Sequence, residues 1–532
     1  MKALLMYKDR DFGYTQYGGR DLDEIRYLRH SNKPASEFSE STAALVQDLE
    51  LEMLFRAMAS GDPFLFEVAK KAVLSPLSDS QEIIYRQEIL KDSVARSQIV
   101  RSMYGIAVEA IERERQVWGW SLRSSPRAVL HRSVEVLQIF VKLIVSLRRI
   151  SDEHGTKFQS PGFLRLFNTI TTELSDEYMS TVKNHLRMLG FRDGVLLSAE
   201  ITEGAKSANY ILRKPWEENL DWKERLHGWM KSQFSRDPRL VYEVDPRDEA
   251  GARALDDIRT LGIGHVAGAL AESTEHILDF FKMLRAELGF YVGCLNLHEQ
   301  ISRKGEPFCF PEPDDADHLS FSAQGLYDIA LSLTVSQPVV GNNVMADHKN
   351  LVMITGANRG GKSTFLRSVG LAQLMMQAGM FAPANFFRAN LCNGIFTHFK
   401  REEDVTMKSG KLDEELARIN SVVEKVSSNS IVLFNESFAS TNEREGSEIA
   451  RQIVRALLEQ GIKVFYVTHL FDLAHSFDHA QFATLFLRAE RLPNGTRTFR
   501  MTQGEPLPTS YGGDLYRRIF DEAGPMQSPP AF

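Results

Sequence analysis

The sequence predicts a multi-domain chain: an α-helical portion carrying a small β insert, followed by an α/β phosphate-loop domain. Three observations lead there. Ile354 to Thr364 fits the pattern Gly-x-x-x-x-Gly-Lys-Ser/Thr, between the apolar run Leu351–Ile354 and helical apolar spacing from Phe365 to Met376. Two further apolar runs, Ser430–Glu436 and Val464–His469, read as buried strands ending in polar residues. Upstream of all three, long helical periodicity is interrupted near residues 192–215 by strand-like alternation.

The phosphate loop comprises Gly356, Ala357, Asn358, Arg359, Gly360, Gly361, Lys362, Ser363 and Thr364. A strand, a glycine turn and a helix start make an anion site, because N–H groups at the helix N-terminus and the helix dipole both favour negative charge. The glycines let the backbone approach closely. Lys362 reaches the outer phosphates, and the Ser363 hydroxyl can hold Mg2+.

Composition bounds the partners. The chain has 532 residues, enough for three or four domains, with 43% apolar and 25% charged residues. A net charge of -7, from 63 basic and 70 acidic residues, excludes a globally basic DNA-coating protein, so nucleic-acid contact must come from a local patch. Cys294, Cys309 and Cys392 stand apart with no Cys-x-x-Cys pair, which supports neither zinc nor a disulfide framework. A reduced, cytoplasmic compartment is expected. Residues 1–7 carry no long apolar run or cleavage site, and the most apolar stretch, Val134–Ile150, is interrupted by charges; neither a signal peptide nor a membrane span is expected.

In order, residues 1–41 read as a weakly structured N-terminal arm. From Thr42 the pattern turns helical, with Leu45, Leu49, Met53 and Ala57 as one stripe and Asp62-Pro63 as the next start. Pro76 breaks a helix and Ser78 or Asp79 caps the following one. Ser93 to Asn184 is mostly amphipathic helix, broken near Ser124–Pro126 and at Gly155. Val195, Leu197, Ala199 and Ile201 alternate, Glu203-Gly204 turns, and Tyr210–Leu212 returns, giving a hairpin in an element spanning 192–245. Its basic residues Lys206, Arg213 and Lys214 could touch phosphates, although nearby acids nearly balance them. Helical spacing resumes over 246–306. Pro307, Pro311 and Pro313 mark a linker, 307–318, taken as the main boundary. The domain 319–532 should open with strands that include Leu326–Leu333, and Gln337–Val340 should enter the nucleotide edge.

A phosphate-loop ATPase normally ends the strand at 430–436 with Asp-Glu, the Asp on the Mg2+ shell and the Glu activating water. Here Asn435 takes the first place. Its carbonyl can still accept from a metal-bound water but lacks the charge, so hydrolysis should be slow. Glu436 remains as general base, and His469 can sense the γ-phosphate through the attacking water.

Gly356–Thr364, read as Gly-Ala-Asn-Arg-Gly-Gly-Lys-Ser-Thr, resembles the ATPase loop of the MutS mismatch-repair family, where Gly-Pro-Asn-Met-Gly-Gly-Lys-Ser-Thr is usual. Leu74–Asp79, followed by Ile83 and Arg86-Gln87, resembles that family's core domain. Thr441, Gly446, Leu470–Leu473 and Ser510–Gly512 match later family runs. The resemblance implies a helical core and lever over 42–191, a clamp-like insert over 192–245, returning lever helices over 246–306 and an ABC-type ATPase using ATP and Mg2+. It also implies a homodimer through the ATPase domains, in which Ser409 and Gly410 reach the partner's nucleotide. The function it implies is an ATP-gated clamp on DNA, in mismatch repair or a related process, cytoplasmic and nucleoid-associated, with a possible repair-protein partner. About forty residues precede the core, so the N-terminal mismatch-recognition and connector domains are expected to be missing. Phe38-Ser39-Glu40 fits the family's wedge triplet but is too short to carry weight. The alternative is a poorly hydrolysing, nucleotide-switched scaffold for a protein partner, favoured by Asn435 and the balanced charge. A transporter-type ATPase is disfavoured by the attached helical core.

Overall fold

A computed structural model describes residues 2–13, 40–117, 126–190, 197–202, 206–213, 249–401, 410–477 and 482–507. A helical region precedes a mixed α/β sheet domain. The helices are α1 (Glu40–Asp48), α2 (Leu51–Ala59), α3 (Pro63–Val73), α4 (Ser80–Ala95), α5 (Ser97–Gln116), α6 (Pro126–His154), α7 (Pro161–Glu173) and α8 (Asp176–Leu189). Asp62 and Asp79 cap α3 and α4 by accepting from Phe64 N and Gln81 N, each at 2.8 Å. Strands β1 (Leu197–Thr202) and β2 (Lys206–Leu212) pair antiparallel. Helix α9 (Glu249–Arg303) then runs 55 residues, about 80 Å at 1.5 Å per residue. Among the described residues, no helix is long and apolar enough to cross a membrane.

The sheet domain contains β3 (Glu312–Asp314), β4 (Phe321–Leu326), α10 (Ile329–Thr334), β5 (Asn342–Met345), β6 (Leu351–Gly356), α11 (Lys362–Gln377), β7 (Phe386–Asn390), β8 (Ile395–Phe399), α12 (Lys411–Val423), β9 (Ile431–Asn435), α13 (Glu443–Glu459), β10 (Lys463–Val467), α14 (Phe471–Ser476), β11 (Thr484–Arg491) and β12 (Arg497–Gln503). One sheet has the order β12-β11-β6-β10-β9-β8. All its pairs are parallel except β11 with β12. The central strands β6, β10 and β9 are mostly apolar, as burial on both faces requires, and every residue of β6 and β10 is buried, Thr355 and Lys463 included. The second sheet has the order β3-β7-β4-β5.

Two compact units divide the chain. The first comprises residues 1–2, 102–156 and 167–285. Within it Phe140 of α6 meets Phe281 of α9 at 5.4 Å between centroids, and Leu130, Val134, Ile263 and Ala267 form a cluster. The second unit comprises residues 3–101, 157–166 and 286–532.

Several expectations need correction. Residues 2–13 form no helix or strand, but Ala3, Leu5, Met6 and Phe12 are buried, so this part is not a loose arm. Arg86 donates to Met6 O at 2.8 Å and to Ala378 O at 3.1 Å, and Tyr291 OH donates to Leu5 O at 2.5 Å. The stripe from Leu45 to Ala57 is not one helix: the chain breaks at Glu50, whose φ is 51°. The proline-rich stretch 307–318 is not a free linker, because β3 lies in it and pairs with β7, and Gln87 donates to Pro311 O at 3.0 Å. The two units accordingly do not divide there. Leu326–Leu333 is mostly not strand: β4 ends at Leu326 and Asp328 caps α10 by accepting from Leu331 N at 3.0 Å. Gln337–Val340 is loop, and the strand beyond it is β5.

Candidate functional site: a phosphate loop facing two strand ends

The site lies in the second unit, at the C-terminal ends of β6, β9 and β10. Gly356 leaves β6 at φ 107°, where a Cβ would come within 2.9 Å of Ala489 N. Gly361 precedes α11 at φ 89° and stands at its N-cap. These are left-handed conformations that favour glycine. Arg359 also takes a left-handed conformation, at φ 58°. Arg497 of β12 donates to Asn358 O at 3.3 Å and closes the loop's outer side.

Lys362 folds back over the loop. Its ammonium donates to Gly356 O at 3.2 Å and Ala357 O at 3.1 Å, and the residue is 5% exposed. Burial pushes the Lys362 ammonium down to about 8, against the favourable charge of Glu436. Ser363, one residue into α11, donates to Asn435 Oδ1 at 2.9 Å.

Strand order sets what meets above the loop. β10 lies between β6 and β9, with Val467 in register with both Ile354 and Asn435. The backbone beyond β10 therefore emerges between the loop and the end of β9. Thr468 N donates to Ile354 O at 3.1 Å, and Glu436 N donates to Val467 O at 2.9 Å. His469 Nε2 lies 3.0 Å from Glu436 Oε1. A carboxylate only accepts, so that nitrogen carries the proton. The His469 hydrogen bond leads in holding the Glu436 carboxyl below its usual range; burial opposes it, and the charges of His469, Lys362 and Lys400 assist. Glu436 is thus an ionised, oriented acceptor beside a buried cation.

Ser363 and Asn435 offer two neutral oxygens side by side, the hard donors that Mg2+ prefers. Among the described residues no cluster of three His, Cys, Asp or Glu could hold a metal. The pair fits a cation that brings most of its own ligands, as Mg2+ does with triphosphate and water.

The other anticipated residues are dispersed. Thr364 continues α11. Gly410 caps α12, while Ser409 lies outside the described residues. Lys206 opens β2, and Arg213, just beyond it, is exposed and donates to Ser198 at 2.8 Å; both belong to the first unit. Lys214 and Ser510–Gly512 fall outside the described residues. The reading of the sequence missed Arg497, Lys400, and the buried pair His398 and Glu415. A charged residue on the apolar stripe of α12, at Glu415, was the available signal.

Residues 78–304 match the MutS2 N-terminal domain, and residues 352–516 match MutS domain V. The chain belongs to the MutS family. A protein named DNA mismatch repair protein MutS, from Streptococcus pyogenes, is 22% identical over 513 residues, 89% of this chain and 57% of that protein. MutS protein homolog 4 from Homo sapiens is 24% identical over 255 residues, 46% of this chain and 27% of that protein. DNA mismatch repair protein MutS from Thermotoga neapolitana is 34% identical over 173 residues, 32% of this chain and 21% of that protein. The chain thus spans between about a fifth and just over half the length of these family relatives.

Proposed function

We propose that this chain is an ABC-type ATPase of the MutS family that clamps DNA in response to ATP, in mismatch repair or a related repair or recombination process. The observation that carries the reading is the convergence of Lys362, the Ser363–Asn435 pair and the Glu436–His469 pair at three adjacent strand ends. In hydrolysis the Glu436 carboxylate takes a proton from water as the water oxygen attacks the γ-phosphorus, and the bond to ADP breaks. His469 holds Glu436 in place, and Lys362 offsets charge on the outer phosphates. Bound at Ser363 and Asn435, Mg2+ would offset charge shared by the β- and γ-phosphates. Turnover is slow because Asn435 brings no charge to that cation.

The proposed arrangement is a homodimer through the 319–532 domains, with Ser409 and Gly410 reaching the partner's nucleotide. The 192–245 insert is the clamp, with Lys206, Arg213 and Lys214 touching phosphates, and a repair protein can join it. The setting is cytoplasmic, on the nucleoid. The name DNA mismatch repair protein MutS, carried by the Streptococcus pyogenes and Thermotoga neapolitana relatives, supports the DNA substrate.

Fluorescence anisotropy on duplex and branched DNA, with and without ATP and across a salt series, tests the reading. Salt-sensitive binding that changes with ATP is expected. ATP binding without any DNA binding, even at low salt, would replace the clamp by a nucleotide-switched scaffold, the reading that Asn435 favours.

A further inference from the structure

Glu415 sits where an apolar residue is expected. It shares the buried stripe of α12 with Ile419 and Val422 and is 2% exposed. A carboxylate in such a place needs partners. Its Oε2 accepts from Phe438 N at 3.0 Å and from Ser440 Oγ at 3.1 Å. Both donors belong to the turn that leaves Glu436. That turn is strained, with Glu436 at φ 55° and Phe438 at φ 62°. Such backbone persists only where the surroundings enforce it.

A second grip comes from β8. Burial, then the charge of Arg418, pushes the His398 imidazole down to about 4, so the ring is neutral with one N–H. Its Nε2 lies 3.1 Å from the Glu415 carbonyl, which only accepts, so Nε2 carries the proton, and the Ser437 hydroxyl lies 2.7 Å from both Nδ1 and His398 O, two acceptors for its one proton. Tyr466 of β10 donates to Ser437 O at 3.0 Å, and the Phe438 ring stacks on His398. Gly446 leaves room for the turn: a Cβ there would lie 2.3 Å from Phe438 O.

We propose that Glu415 is a positioning residue for Glu436, holding the 436–440 turn so that the Glu436 carboxylate is presented to His469 and the phosphate loop. This rests on the ATPase reading above. Glu415 lies on the first turns of α12, which Gly410 caps. Movement at the Gly410 end, where the partner's nucleotide is proposed to bind, therefore reaches the base of the same subunit through one short helix.

Single-turnover hydrolysis and ATP calorimetry on the full chain test this. Glu415→Ala should lower kcat about tenfold while ATP Kd stays within about twofold. Glu415→Gln keeps an acceptor oxygen and should recover most of that loss. In a Glu436→Gln background, Glu415→Ala should cost nothing further, a non-additivity that a general loss of stability does not produce. If Glu415→Ala fails to fold, Ser440→Ala removes one of the two turn contacts and should lower kcat about threefold at unchanged Kd. The inference is overturned if Glu436→Gln is inactive while Glu415→Ala, or Ser440→Ala in its place, keeps full kcat, or if kcat and Kd move together. A wild-type chain that binds but never hydrolyses ATP overturns the ATPase reading and this inference with it.

Discussion

Ser363, in the first turn of α11, and Asn435, at the end of β9, meet at 2.9 Å, hydroxyl to amide oxygen. In that geometry a carboxylate at 435 would bring a negative charge to the cation the pair can hold. Asn435→Asp should lower the Mg2+ concentration for half-maximal ATPase activity by about tenfold, ~1.4 kcal/mol, the size of one charge-assisted contact. Glu436→Gln, by contrast, should cut turnover at least about a hundredfold and leave ATP binding intact. A Mg2+ titration of the three proteins reads both outcomes, and full activity in Glu436→Gln removes Glu436 as the base.

Lys362 predicts a pH dependence of nucleotide binding. Burial holds its ammonium at about 8, so the free protein begins to lose this charge as pH rises through 8. Phosphate oxygens favour the charged form. ATP affinity should therefore be steady below about pH 7 and fall above 8, with about half a proton taken up per ATP at pH 8. Calorimetry in two buffers of different ionisation enthalpy measures the uptake. Lys362→Ala should bind ATP about tenfold more weakly and lose the pH dependence.

Much of this site is legible in the sequence because it is local. A strand, a glycine turn, a lysine and a helix lie within a few residues of one another, and Asn435-Glu436 ends an apolar run of strand length. What could not be read depends on distant partners. β3 is strand because β7 lies beside it, and the backbone of residues 2–13 finds its partners in Tyr85, Arg86, Arg165, Glu287 and Tyr291, all far off in sequence. Leu326–Leu333 is apolar enough for a strand, but the Asp328 cap turns it into helix. Glu415 is not legible as a site residue because helical periodicity weighs the apolar members of a stripe and not the exception among them.

DNA binding should rest on phosphate contacts and not on reading a wrong pair. Arg213 is exposed and partly committed to Ser198, which aims the guanidinium without satisfying all its donors. Reversing Arg213 and Lys214 to Glu should weaken binding alike on every sequence and flatten its salt dependence, because phosphate contacts position without specifying. Preference for a G·T mismatch over paired duplex should stay below about tenfold, ~1.4 kcal/mol. Competition anisotropy would show a larger preference directly.

Glu287 predicts a stability profile of its own. Burial leads in raising its carboxyl from an ordinary value of 4.5 to about 7, with Asp11 adding to the rise and N–H bonds from Leu5, Met6 and Phe12 opposing it. The folded chain therefore binds more protons than the unfolded one between those values. This contribution is complete below about pH 4.5 and is lost as pH rises through 7, a span on the order of 3 kcal/mol. Glu287→Gln should flatten that part of a melting-temperature profile taken from pH 5 to 8, and an unchanged slope would remove Glu287 as its source.

Residues 2–13 behave as a peptide ligand that happens to share a covalent chain with its receptor. Leu4 O accepts from Tyr85 OH at 2.7 Å, Lys8 O accepts from Arg165 at 2.7 Å, and the Arg86 guanidinium lies 4.6 Å from the centre of the Tyr7 ring. Proteolysis anywhere between residues 14 and 39 should thus leave the short fragment retained by the rest of the protein through a gel-filtration column. Truncation at residue 14 is not equivalent to that cut. It takes away the acceptors that Leu4 O, Met6 O and Lys8 O offer to Tyr85, Arg86 and Arg165, and a synthetic peptide of residues 2–13 supplied in trans should restore the thermal stability that truncation takes away.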